Sequence, residues 1–183
     1  MPIVIITGPP GAGKTTVASQ LAASSQLGVH LVGDQVFHWV AGGYMQPWMA
    51  GTSRQNAAAA VQFADAGYDV FVDGIIGPWF LPHWLHTTGP GRPTHYFVIW
   101  PSRQITATRA SGRRAPGDLV DTHPVAAMFD VLEDLGSFEA PVLDSSSQVI
   151  SRTATAIQDR MTVRSRDMRS SARSGRHQRA DRP

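Results

Sequence analysis

The run Gly8-Pro9-Pro10-Gly11-Ala12-Gly13-Lys14-Thr15-Thr16 follows Ile3-Val4-Ile5-Ile6-Thr7 without a gap. The first five residues are all β-branched and mostly apolar, as expected of a strand buried on both faces in a parallel sheet. Beyond Thr15 the apolar side chains switch to helical spacing, with Val17, Ala18, Leu21 and Ala22 three or four apart. Strand, glycine loop and helix in this order fit the pattern G-x-x-x-x-G-K-[ST]. The glycines let backbone N–H groups turn inward around an anion, and the helix N-terminus adds its partial positive charge. This stretch constrains the fold more than any other, because a buried parallel strand needs parallel neighbours and each neighbour needs a crossover.

Lys14 is the one lysine in 183 residues; every other basic side chain is Arg or His. A compact ammonium on a flexible stem can follow a moving phosphoryl group, whereas a guanidinium favours fixed bidentate partners. In this pattern Lys14 reaches the β- and γ-phosphates of a nucleotide and the Thr15 hydroxyl completes a Mg²⁺ shell. ATP or GTP, with Mg²⁺, is therefore the expected cofactor, held by the whole run from Gly8 to Thr16.

The length suits one domain with a sizeable core. Zero cysteines exclude disulfides and thiolate metal sites. No apolar run approaches the roughly 20 residues of a membrane span, and no basic region precedes the first strand, so the chain reads as cytoplasmic with no membrane partner. The pI of 9.5 is concentrated at one end. From Ser151 onward nine Arg face three Asp, whereas the first 150 residues carry six Arg and one Lys against eleven acids. The body is mildly acidic and the end basic.

Further apolar runs alternate with helical segments. Strands are expected at Gly28–Asp34, Tyr68–Gly74, His95–Trp100 and Ala140–Asp144. Helices are expected over Val36–Val40, from a cap at Thr52 or Ser53 to Ala66, near Leu81–Leu85, from Ser102 to Ser111, over Pro124–Leu135 and from Gln148 to Arg160. Tyr44–Gly51 reads as a loop. Residues 1–164 form the expected domain, with a lid around 109–123. Residues 165–183 lack apolar periodicity and read as a basic disordered tail. Alternating strands and helices predict an α/β fold of three α/β/α layers around a parallel sheet. Ligands in such sheets bind beyond the carboxyl ends of the strands.

That rule gathers the loop, Asp34, Asp73 and the segment after Trp100 at one edge. Phosphoryl transfer needs phosphate neutralisation, a metal and a carboxylate to take the acceptor's proton. Asp34 is assigned as the base and Asp73 as the carboxylate beside the metal, with a swap of these roles left open. Either acid can also be read as a helix cap or a solvated strand end. Arg109, Arg113 and Arg114 straddle a glycine at a helix end; they read as a lid closing over the triphosphate, or as cations placed at a helix C-terminus. Trp39, Tyr44, Trp48, Trp79 and Trp84 fall after the second and third strands and can line an acceptor pocket with Asp34, Arg54 and Asp73. Each Trp taken alone also reads as a core or loop anchor. Few arginines lie in this stretch, which favours a small acceptor that is neutral or singly charged. His38, His83, His86 and His123 form no metal-site spacing. The Arg/Ser tail is the segment that can contact nucleic acid or an anionic surface, but it lacks the interleaved aromatics that stack on bases, which favours a solvated, functionally neutral tail.

The stretches ITGPPGAGKTT, LVGD, VFVDG, TRASGRR and PVLDSS, spanning about residues 1–160, resemble small P-loop kinases of the shikimate, gluconate and adenylate kinase group. Within that group they are most similar to chloramphenicol phosphotransferase-like ATP-binding proteins. The resemblance implies a five-stranded sheet in the order 2-3-1-4-5 and transfer of phosphate from ATP to a hydroxyl of a metabolite or antibiotic. It also implies a base at Asp34 and an adenine-flanking loop at Asp144, Ser145 and Ser146. Shikimate kinases carry a second acid where this chain has Val32 and a cluster of substrate arginines that it lacks. Competing readings are a regulatory or stress ATPase without a small acceptor and a nucleic-acid end kinase.

Overall fold

A computed structural model describes residues 1–39, 48–111, 142–146 and 149–162, with side chains at all of these except 37–39, 48–52, 107 and 109–111. Five strands form one sheet: β1 (Ile3–Thr7), β2 (Gly28–Val32), β3 (Asp69–Asp73), β4 (Thr94–Trp100) and β5 (Val142–Asp144). Their order is β2-β3-β1-β4-β5 and every pairing is parallel. The expected order 2-3-1-4-5 is observed. Five helices accompany them among the described residues: α1 (Lys14–Ser24), α2 (Trp48–Asp65), α3 (Leu81–Thr88), α4 (Arg103–Ser111) and α5 (150–162).

The alternation of side chains along the strands divides the core in two. Ile3 and Ile5 point with Val70, Val72, Tyr96 and Val98 toward Ala57, Ala60 and Ala64 of α2 and Leu81 and Trp84 of α3. Val4 and Ile6 point with Phe71, Phe97, Ile99 and Leu143 toward Val17, Ala18 and Leu21 of α1 and Ala154 and Ile157 of α5. Thus β1 is buried on both faces, as its β-branched run predicts. Each such side chain removed from water contributes about 1.5–3 kcal/mol. The small alanines of α2 let that helix lie close on the sheet.

Several boundaries differ from expectation. Helix α2 starts at Trp48 and runs through Gly51, so part of the expected Tyr44–Gly51 loop is helical. A glycine inside a helix costs only about 1 kcal/mol, which packing on the sheet offsets. Ser53 therefore does not cap α2: it lies in the second turn, where its buried hydroxyl accepts the Trp84 indole N–H at 2.8 Å. Strand β2 stops at Val32, and Gly33–Trp39 forms a 3₁₀ helix. Helix α3 continues to Thr88. Ser102 does cap α4, with its hydroxyl accepting the Ile105 N–H at 3.4 Å. The expected Pro124–Leu135 helix, Ala140 and Pro141 at the start of the fifth strand, and the tail lie outside the described residues.

Candidate active site

The loop between β1 and α1 has the geometry of an anion cradle. Gly8 leaves β1 so close to β4 that a Cβ there would stand 2.2 Å from the Ile99 carbonyl oxygen. Gly13 has φ of 90°, in the left-handed region, and turns the chain into α1. Inside the loop the Ala12 N–H bonds the Pro9 carbonyl at 3.1 Å. The Val17 N–H bonds back to Gly13 at 3.0 Å, and the N–H groups ahead of it open out of the helix end. Pro9 and Pro10 contribute rigidity and carbonyls but no N–H.

Lys14 is the first residue of α1, and its side chain folds back over the loop. It is 8% exposed, and Nζ donates to the Pro9 carbonyl at 3.2 Å. A buried ammonium among backbone dipoles is placed to meet a polyanion entering the loop.

Thr15 lies one residue further along α1, and its hydroxyl donates to Asp73 Oδ2 at 2.6 Å. The sheet register explains how residues 58 apart meet: β3 lies beside β1 with Asp73 opposite Ile6, and the Gly74 N–H bonds the Ile6 carbonyl at 3.3 Å. The end of β3 thus stands next to the start of the loop. Asp73 is 3% exposed, and its other oxygen, Oδ1, lies 2.7 Å from His30 Nε2. Sequence reasoning missed His30. The signal available was a polar side chain inside the otherwise apolar Gly28–Val32 run, which demands a partner. Naming that partner requires the register that sets Val32 beside Asp73.

Asp34 occupies the first turn of the 3₁₀ segment and is exposed. It follows Gly33, where a Cβ would stand 2.6 Å from the Asp73 carbonyl oxygen. The Gly33 carbonyl accepts the Asn56 side-chain amide at 3.1 Å, which fastens this turn to α2. Thus Asp34 and Asp73 leave adjacent strands at the same edge, one open to solvent and one enclosed.

The segment after Asp73 is held from beneath. Ile76 donates its N–H to the Thr7 hydroxyl at 3.0 Å, and its carbonyl accepts the Tyr96 hydroxyl at 2.7 Å. Burial raises the Tyr96 phenol above its ordinary value, against the opposing hydrogen bond with Thr7. Trp79 packs where a Cβ on Gly77 would meet its ring at 2.2 Å. It remains 46% exposed. Trp84, read as a potential pocket wall, is instead completely buried in the core. Its indole needs the Ser53 hydroxyl inside the α2–α3 packing, which places it away from solvent. Arg54 is exposed on α2. Arg92 is bound to Asp65 and to the Thr88 carbonyl ahead of β4, at the opposite end of the strands from the loop.

At the end of β5, Asp144 Oδ1 accepts the Ser146 hydroxyl at 2.6 Å and its N–H at 2.9 Å. These two bonds, the hydroxyl's first, hold the exposed Asp144 carboxyl below its ordinary value. Ser146 Oγ accepts the Ser102 N–H at 2.8 Å, so the ends of β4 and β5 are tied into one turn. Ser145 is buried beside them. Tyr44, Arg113, Arg114 and the rest of the expected lid beyond Ser111 lie outside the described residues. So do the side chains of Trp39, Trp48 and Arg109. No helix among the described residues is long and apolar enough to cross a membrane, and no group of three or more metal-ligating His, Cys, Asp or Glu occurs among them.

Residues 1–64 match a family model described as chromatin associated protein KTI12. A search of curated proteins returns no match to the chain. Solved structures align over most of its length. A sugar kinase from Janibacter sp. HTCC2649 has 18% identity and a TM-score of 0.64, covering 86% of this chain and 92% of its own. A gluconokinase from Sinorhizobium meliloti 1021 has 12% identity and a TM-score of 0.67, covering 92% and 96%. The Mycobacterium tuberculosis APS kinase CysC, in complex with AMPPNP and APS, has 19% identity and a TM-score of 0.64, covering 86% and 95%. With the observed strand order and the glycine loop, these likenesses establish a three-layer α/β P-loop fold shared with small-molecule kinases.

Proposed function

We propose that this chain is an ATP-dependent phosphotransferase acting on a hydroxyl group of a small molecule. The observation that carries the reading is the enclosed Thr15–Asp73 pair beside a glycine loop that also holds the buried Lys14. Hard oxygen donors meeting at the mouth of an anion cradle suit Mg²⁺, with Thr15 and Asp73 as the residues that would hold it, directly or through water. When bound, the ion supplies neutralisation of the phosphate oxygens. The loop N–H groups and Lys14 bind and orient the triphosphate. Asp34, open to solvent, takes the proton from the acceptor hydroxyl as its oxygen bonds the γ-phosphorus, and the bond to the β–γ bridging oxygen breaks. Arg109 and Arg113 are assigned to the lid that screens the transferring group from water, and Asp144, Ser145 and Ser146 to the adenine side.

The fold neighbours include proteins named as kinases of a sugar and of gluconate, which supports a small hydroxylic acceptor. The tie between Arg92 and Asp65 takes that guanidinium away from the acceptor side, which supports a neutral or singly charged one. Trp79, with Trp39, Tyr44 and Trp48, is assigned to its apolar walls and Arg54 to its rim.

A panel of sugars, polyols, metabolites and antibiotics incubated with [γ-³²P]ATP tests the reading. Label should pass to one compound class with wild type and fall at least about a hundredfold with Asp34→Asn, while ATP affinity stays within about threefold. Transfer that survives Asp34→Asn would remove Asp34 from the base role and leave Asp73 as the candidate.

The match of residues 1–64 to the KTI12 model favours a second reading, a regulatory nucleotide-binding ATPase with no small acceptor. That reading expects hydrolysis of ATP with no labelled acceptor in the panel.

A further inference from the structure

Asp73 is held at both oxygens, and the two donors come from different elements. Thr15 of α1 occupies Oδ2 at 2.6 Å and His30 of β2 meets Oδ1 at 2.7 Å. A carboxylate can only accept hydrogen bonds, so the proton in the second contact belongs to His30 Nε2. The pairings His30 with Phe71 and Val32 with Asp73 put His30 and Asp73 on the same face of the sheet, one diagonal step apart across β2 and β3. The His30 side chain is 16% exposed and that of Asp73 4%.

With one anchor a buried carboxylate can rotate about its Cβ–Cγ bond; with two, on opposite oxygens, it has one orientation. We infer that His30 is a positioning residue: by holding Asp73 Oδ1 it keeps Oδ2 aimed at Thr15, and so shapes the oxygen pair that receives the metal of a metal–nucleotide complex. This deepens the proposed function by adding a residue from β2 to the metal side of the site. Partners that hold a ligand from behind characteristically change metal affinity by about 10–100-fold when removed. A merely structural link between β2 and β3 would instead appear in thermal stability and in every ligand affinity together.

The experiment compares wild type with His30→Phe, which keeps a ring of similar bulk without a donor, and His30→Gln, whose terminal amide N–H can reach the position of Nε2. Mn²⁺ binding to the protein–AMPPNP complex is followed by electron paramagnetic resonance, and metal-free AMPPNP affinity is measured in chelator. His30→Phe should weaken Mn²⁺ binding by about tenfold or more. Its metal-free nucleotide affinity should stay within about twofold, and His30→Gln should recover most of the loss. Should His30→Phe not fold, His30→Ala, which adds no bulk, enters the same comparison. Unchanged Mn²⁺ affinity in the donor-less variant overturns the inference, as does an equal fall in metal-free nucleotide affinity. Neither readout involves an acceptor. Failure to find transfer therefore sinks the kinase reading alone, unchanged metal affinity sinks the role of His30 alone, and a wild type that binds no metal with nucleotide sinks both.

Discussion

At the scale of single residues, the site depends on polar groups that are taken out of water and held by hydrogen bonds. Lys14 folds onto the Pro9 carbonyl, Thr15 onto Asp73, and Asp73 onto His30. Asp144 contrasts with these because it is exposed and its hydrogen bonds are local. The Ser146 hydroxyl, and then the Ser146 N–H, hold its carboxyl below the ordinary value of 3.8. A depressed carboxyl contributes stability above its unfolded pKa, and that contribution is lost as pH falls through the lower folded pKa. Ser146→Ala should therefore raise the Asp144 titration toward the ordinary value, visible as a shift in its side-chain ¹³C pH curve. An unchanged curve would mean that the hydroxyl is not the cause. The Asp144-Ser145-Ser146 turn was named in the sequence, whereas the link from Ser146 to the Ser102 N–H was not, because it spans 44 residues.

At the scale of elements, helix α1 has two tasks. Its first turn faces the loop, and its following turns bury Val17, Ala18 and Leu21 against β1, β3 and α5. Packing thus holds the helix N-terminus, and with it the glycine loop, in place. Leu21→Ala should destabilise the fold by about 2–5 kcal/mol through lost burial and the cavity left behind, read as a lower urea midpoint with an unchanged m-value. Leu85→Ala, at a side chain 55% exposed on α3, should change stability by less than about 0.5 kcal/mol. Equal effects at the two positions would contradict the division between core and surface. Periodicity made both α1 and β1 legible, since a buried strand and an amphipathic helix each declare themselves within a dozen residues. The start of α2 was not legible in that way. Gly51 and Pro47 argued locally for a loop, and the contact that incorporates Ser53 is made with Trp84, 31 residues away.

At the scale of the whole molecule, the parallel order β2-β3-β1-β4-β5 brings the ends of all five strands to one edge. There the glycine loop, Asp73 and the Ser102–Ser146 tie converge from separate stretches of chain. Among the described residues, α2 and α3 pack on one face of the sheet and α1 and α5 on the other, and the sequence after 164 lacks apolar periodicity. A chain cut after residue 164 should therefore keep its thermal midpoint within about 3 °C and retain any transfer found with the full chain. Loss of activity with the fold intact would favour the regulatory ATPase reading, in which the basic end engages a partner.

Composition and local pattern by themselves determined the strand–glycine-loop–helix unit and the alternating α/β architecture, because each follows from the chemistry of neighbouring residues. The sheet order is implied by the resemblance of residues 1–160 to small P-loop kinases, and Asp73 stands at a strand end, where a metal-side role is expected and a swap with Asp34 stays open. Only the tertiary structure decided which donors that acid accepts. The distance from Thr15 to Asp73 spans 58 residues and that from His30 to Asp73 spans 43. Such contacts depend on strand order and register, and register is set by how the hydrophobic faces of β2, β3 and β1 meet the helices, which no short window of sequence contains.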